Sequence, residues 1–198
     1  MIVVIVNNSI GRATAIVIAF QISNTPYQLE TVSFPEFSAN KANVERFPLG
    51  QMPVLTLPDG RLVTQSLAIS RYAGKLAGLY PEDFVDAMLV DEIIDTVAQI
   101  MNSTPQNANN DLKKTLREEW AAGSLQTFLA FFARKVGTGA SYLVGGKLSL
   151  ADIFLYAYIK SFRVGSVDFV PADVDSAFPV LGAYFDFIKA DPVFAPFA

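Results

Sequence analysis

Two residue types are missing from the 198-residue chain: it contains no cysteine and no histidine. Without cysteine, disulfides, thiol redox chemistry and thiolate zinc sites are excluded. Without histidine, serine–histidine triads and imidazole proton shuttles are excluded as well. Any catalysis falls to carboxylates, hydroxyls, amides, lysine, arginine or the reactive group of a bound cofactor, and no metal is expected. Charge is scarce too, at 17% of residues against 52% hydrophobic, a balance that excludes disorder. A net charge of −4 argues against a nucleic-acid partner, which would need a basic patch. Long apolar runs are also absent, since no stretch approaches the roughly 20 residues that span a bilayer. The apolar opening, MIVVIVNNSIGRATAIVIAF, lacks a leading positive charge and is split by Asn7-Asn8-Ser9, so it does not read as a secretory leader. The expectation is a cytoplasmic protein with no membrane partner, long enough to bury a real core in one large or two small domains.

What is present falls into two halves. Ile2–Val6 is a β-branched run suited to a strand buried on both faces. Turn residues 7–11 follow, then a helix from Arg12 with Ala13, Ile16, Val17 and Phe20 at helical spacing. Pro26 ends it, and Gln28–Ser33 reads as a second strand, so the first unit is β-α-β with a parallel pair. Phe34–Phe47 reads as a loop with a short helix. Val54–Leu57 and Arg61–Thr64 read as strands joined by the turn Pro58-Asp59-Gly60. Ser66 is a good N-cap for a helix carrying Leu67, Ile69, Tyr72, Ala73 and Leu76. This order is that of a thioredoxin-like α/β domain over residues 1–76. Residues 77–83 read as a linker, and 84–198 as an all-helical domain. In that second half, stripes of apolar residues run over Phe84–Met101 and, as one helix, over Asp111–Val136. Further helices follow Ser149 and Phe178-Pro179. Ser149-x-x-Asp152 has the spacing of a capping box, a structural role.

The most informative stretch is FPLGQMPVLTLPDGRLVTQSLAISRYAGK, Phe47–Lys75. A proline corner after Met52 can turn backbone groups outward to pair with an extended peptide. A helix N-terminus at Gln65-Ser66 offers free amides and a dipole that favours an anion. Read alone, each is an ordinary core corner or cap. Together, Phe47-Pro48, Gly50-Gln51-Met52-Pro53-Val54-Leu55, Asp59-Gly60 and Gln65-Ser66-Leu67-Ala68-Ile69-x-Arg71-Tyr72 resemble the glutathione site of the glutathione transferase family, sigma class. Gly11-Arg12-Ala13 and Ser149-x-Ala151-Asp152 match that family as well.

The resemblance implies the glutathione transferase fold and a homodimer that conjugates glutathione, substrate or cofactor, to small hydrophobic electrophiles, a detoxifying reaction. It implies a cis Met52-Pro53 bond and glutathione contacts from Gln51, Met52, Pro53, Gln65 and Ser66. The family's sulfur-contacting tyrosine is replaced: alignment on Gly11-Arg12-Ala13 places Val6 there, and Val6 has nothing to donate. Asn7, Asn8 and Ser9 are the neighbouring donors, since other members of the family use serine or asparagine before the first helix. One hydrogen bond to a charged acceptor contributes about 1.5–3 kcal/mol, which lowers a thiol pKa by about one to two units. One donor is therefore sufficient, although Asn-Asn-Ser is also ordinary turn chemistry. The residues that hold the glycyl carboxylate in the family align with Asn40 and Val44, which leaves Lys41 and Arg46 as the nearest basic candidates. Gln99, with Asp95 nearby, falls where the partner subunit's acidic contact is expected. Met101, Pro105, Phe162 and Phe197 are candidates for the electrophile pocket. Three functions stay open: conjugating enzyme, non-catalytic binder or structural protein of the S-crystallin kind, and glutathione-dependent isomerase of the prostaglandin synthase kind.

Overall fold

The computed structural model describes residues 1–7 and 11–197. The chain divides into two compact units, Met1–Pro81 and Glu82–Ala198. The first is a thioredoxin-like α/β unit and the second is all-helical.

The first unit is built on a four-stranded sheet in the order β2-β1-β3-β4. Its strands are β1 (Ile2–Asn7), β2 (Tyr27–Val32), β3 (Val54–Thr56) and β4 (Leu62–Val63). β1 and β2 run parallel, as the intervening helix α1 (Thr14–Ile22) requires. β3 runs antiparallel to both β1 and β4. Ile2, Val4, Ile5 and Val6 of β1 are all buried, as expected of a strand covered on both faces. α1 is buried over six consecutive positions, Ala15–Phe20, and packs on α3 (Ser66–Leu76). A helix apolar all round belongs inside a core rather than on its surface. Ile5, Val32, Phe47 and Val54 form a buried cluster at the far end of β1, with Phe37, Met52 and Leu62 packed against it. Short helix α2 (Phe34–Asn40) buries none of its residues and contributes Phe37 edge-on to Phe47, with centroids 5.2 Å apart.

The second unit contains α4 (Phe84–Ser103), α5 (Asn110–Ala122), α6 (Ser124–Val136), α7 (Leu150–Arg163) and α8 (Pro179–Lys189). α7 packs against α4 and α8 and has ten buried residues among its fourteen. One sequence expectation is corrected here: Asp111–Val136 is two helices, broken at Gly123. A side chain at Gly123 would bring its Cβ to 3.2 Å from the Glu119 carbonyl. The Gln126 amide then donates to the Ala121 carbonyl at 2.9 Å, satisfying an acceptor that the break would leave open. No helix among the described residues is long and apolar enough to cross a membrane.

Candidate functional site

The strand register determines what meets at the end of the sheet. Ile5 pairs with Val54 antiparallel. Continued by two residues, that register sets Val6 beside Pro53 and Asn7 beside Met52. Leu55 pairs with Val63, so β4 also ends there, and Gln65 follows two residues later. The C-terminal end of β1, the Met52-Pro53 corner and the start of α3 thus converge on one end of the first unit.

Two of the three, the Met52-Pro53 corner and the start of α3, present polar backbone. The Met52-Pro53 bond is cis, Pro53 is buried, and Met52 is half-buried beside exposed Gln51. Among the described residues the Met52 N–H and C=O take no backbone hydrogen bond. At α3, one expectation is corrected. Gln65, not Ser66, is the N-cap: its carbonyl accepts from the Ile69 N–H at 3.1 Å, while Ser66 is the first helical residue and is buried. Gln65 has φ 72° and ψ 102° and makes no side-chain cap. This left-handed conformation is rare outside glycine and costs on the order of 1–3 kcal/mol. It leaves an exposed amide side chain beside helix N–H groups that no side chain caps, an arrangement suited to a carboxylate.

The two basic candidates near this corner differ. Arg46 is engaged by both Glu30 and Glu36, the second at 3.3 Å, and also lies 5.2 Å over the Phe47 ring. Its hydrogen bond to Glu30 leads the effects that hold its pKa above the ordinary arginine value. Lys41 is exposed and enters no ion pair among the described residues. Its carbonyl would be 3.1 Å from a Cβ on Gly50, whose φ of +58° already requires glycine. Backbone closure therefore draws Lys41 to the residue preceding Gln51.

Of the three proposed sulfur donors, Asn7 is exposed at the end of β1. Asn8 and Ser9 lie outside the described residues. Val6 is 1% exposed, an apolar side chain inside the core.

In the helical unit, Met101 is half-buried in the last turn of α4 and Pro105 is half-buried in the loop that follows. Phe162 is buried, with its ring edge-on to Tyr158 at 4.7 Å. The Phe197 side chain lies outside what is described. Asp95 and Gln99 are both exposed on α4, one turn apart. Ser149 and Asp152 form the capping box: the Ser149 N–H and hydroxyl donate to Asp152 Oδ2 at 2.9 and 2.8 Å. Asp152 Oδ1 accepts from the Leu143 N–H at 2.9 Å and the Tyr184 hydroxyl at 2.8 Å. Burial pushes the Asp152 pKa up against these four donors.

With this geometry in place, two family matches account for most of the chain. The C-terminal domain of glutathione S-transferase matches residues 94–197 and its N-terminal domain residues 13–76. The chain belongs to the glutathione S-transferase family. It is 27% identical over 144 residues to glutathione S-transferase 3 of Caenorhabditis elegans, covering 69% of this chain and 68% of the relative. It is 24% identical over 159 residues to S-crystallin SL11 of Nototodarus sloanii, covering 78% and 76%. The solved prostaglandin synthase D of Nilaparvata lugens shares the fold with a TM-score of 0.83 at 23% identity, covering 100% of this chain and 96% of that one.

Within this glutathione S-transferase chain, sequence reasoning missed two arrangements. Nothing in a glutamine signals the left-handed backbone at Gln65. Arg46 read as an available cation because Glu30 and Glu36 lie 16 and 10 residues away, with no motif to join them.

Proposed function

We propose that the protein binds glutathione and conjugates its thiol to small hydrophobic electrophiles. The observation that carries this reading is the convergence of Asn7, the Met52-Pro53 corner and the Gln65 helix start on one end of the sheet. Met52 pairs with the cysteinyl backbone as an added strand would. Gln51, Pro53, Gln65 and Ser66 frame the peptide, with the γ-glutamyl carboxylate at the start of α3. Lys41 takes the glycyl carboxylate, and Arg46 supports that loop through Glu30 and Glu36.

Asn7, Asn8 or Ser9 donates a hydrogen bond to the sulfur. A thiol of pKa about 8.5 is only a few per cent ionised at neutral pH, and lowering it by about 1.5 units makes it half thiolate. The thiol proton passes to solvent. The thiolate lone pair forms the C–S bond, and the leaving group departs with the bonding electrons. Met101 and Pro105 supply apolar surface for the electrophile, and buried Phe162 backs it.

The proposal includes a homodimer, with Asp95 and Gln99 contacting the partner's glutathione site. Exposed Tyr72 and Leu76 on α3, and exposed Phe84, Val85 and Met88 on α4, support it, since such side chains gain by being covered. A cytoplasmic location and a detoxifying role belong to the same reading.

Calorimetric titration with glutathione across pH, together with ultraviolet absorbance of the bound thiolate, tests it. Saturable binding and a thiolate band near neutral pH are expected. Binding without that band would support a second reading, a non-catalytic binder or structural relative, which buried Val6 at the sulfur-contacting position favours. No binding at any pH would refute conjugation and glutathione binding alike and leave the structural relative.

A further inference from the structure

One charged side chain in the helical unit is almost wholly buried and holds two loops at once. Arg117, on α5, has a side chain only 5% exposed. Its Nε donates to the Pro105 carbonyl at 2.8 Å, in the loop between α4 and α5. Its Nη1 donates to the Asp168 carbonyl at 3.0 Å, in the loop between α7 and α8. The same nitrogen also pairs with the Asp168 carboxylate. One turn earlier, Lys113 reaches the other Asp168 oxygen at 2.8 Å and lies 5.3 Å over the Phe169 ring. Phe169 itself has φ 62°, a conformation that needs surrounding contacts to persist.

Helix direction shows where this cluster lies. α4 and α7 pack together, and a Cβ on Gly145, just before α7, would stand 3.3 Å from Asp86 in the first turn of α4. Both helices therefore start at one end and run the same way. At 1.5 Å per residue, Met101 is about 26 Å along α4 from Phe84 and Phe162 about 18 Å along α7 from Leu150, each in the last turns of its helix. Met101, Pro105 and Phe162 thus come to the same end of the unit, where Arg117 joins the loops that leave those two helices.

We infer that Arg117 is a positioning residue for the second-substrate site, fixing the wall that Pro105 contributes. The inference rests on the proposed assignment of Met101, Pro105 and Phe162 to that site. A buried guanidinium is not needed merely to fill space, because apolar residues of similar volume commonly stabilise a core as well or better. What the planar fork supplies is donors aimed at two backbone carbonyls from one rigid group. Lysine has the charge and the length but not that fork. Burial pushes the Arg117 pKa down, yet guanidinium stays charged throughout the accessible pH range, so the clamp does not titrate.

The probe is 8-anilinonaphthalene-1-sulfonate, titrated by fluorescence into wild-type protein, Arg117→Lys and Asp168→Asn, with glutathione calorimetry run in parallel on each. Arg117→Lys is expected to weaken probe binding about tenfold with glutathione affinity unchanged. Asp168→Asn keeps the carbonyl contacts and is expected to weaken it about threefold. If Arg117→Lys does not fold, Asp168→Asn decides alone. Wild-type probe affinity in the folded variants overturns the inference, as does an equal loss of glutathione affinity, which would mean general loosening. A wild-type protein that binds glutathione but not the probe overturns the second-substrate assignment and this inference with it. Failure to bind glutathione in the parallel titration counts against the proposed function instead.

Discussion

Two helices in this protein begin in opposite ways. α7 starts on a closed cap: Ser149 and Asp152 satisfy each other, and Asp152 also takes the Leu143 N–H and the Tyr184 hydroxyl. Asp152 is completely buried, and each of these contacts is internal. α3 starts on an open cap: Gln65 is exposed, left-handed and without a side-chain bond to the helix. Stability alone would favour the first solution at both places, since a satisfied cap contributes about 1 kcal/mol and a strained backbone costs that or more. Under the proposed function, the open start at Gln65 gives up local stability to leave amides for a ligand.

The sharpest way to break this contrast is Asp152→Ala. It leaves the Leu143 and Ser149 N–H groups and the Tyr184 hydroxyl without their acceptor in the core. We expect a loss of about 3–4 kcal/mol in urea denaturation, with glutathione affinity of the folded fraction unchanged. A loss below about 1 kcal/mol would show that the buried cap is replaceable by water. Gln65→Gly acts at the other helix and in the other direction. Glycine adopts φ 72° freely, so the variant is expected to gain about 1 kcal/mol in stability while glutathione affinity falls about tenfold. If the variant is less stable, or binds glutathione as well as the wild type, the open start is not held for a ligand.

The same two helix starts show what sequence can reveal. Ser149-x-x-Asp152 was legible because capping is local chemistry at fixed spacing. The β-branched run of β1 and the Pro58-Asp59-Gly60 turn were legible for the same reason, as was the Met52-Pro53 corner once the family resemblance was recognised. The resemblance implies a ligand role for Gln65 but says nothing of its backbone, because glutamine carries no propensity for φ > 0. The break at Gly123 was hidden because apolar spacing continues across it from Trp120 to Leu125 and Leu129. Arg117 was invisible in a strongly polar helix. Its contacts at Asp168 lie 51 residues away, and only the folded chain brings them together.

The smallest expected effect comes from a third kind of buried polar group, one with neither an internal partner nor an evident ligand. Tyr158 is 6% exposed, and its hydroxyl has no hydrogen-bond partner among the described residues. Burial raises the phenol pKa, so the group stays neutral and its cost is that of an unpaired hydroxyl, not of a charge. Tyr158→Phe removes that hydroxyl and keeps the ring edge-on to Phe162. Tyr184 is the opposite case, because its hydroxyl serves Asp152 and its loss would leave a buried carboxylate short of a donor. Tyr158→Phe is therefore expected to leave stability unchanged or raise it by up to about 1 kcal/mol, read as the shift in urea midpoint at constant slope. A clear loss of stability would mean that the hydroxyl is satisfied in solution by an ordered water. Tyr158 would then belong with the closed, internally satisfied groups, on the Asp152 side of the contrast.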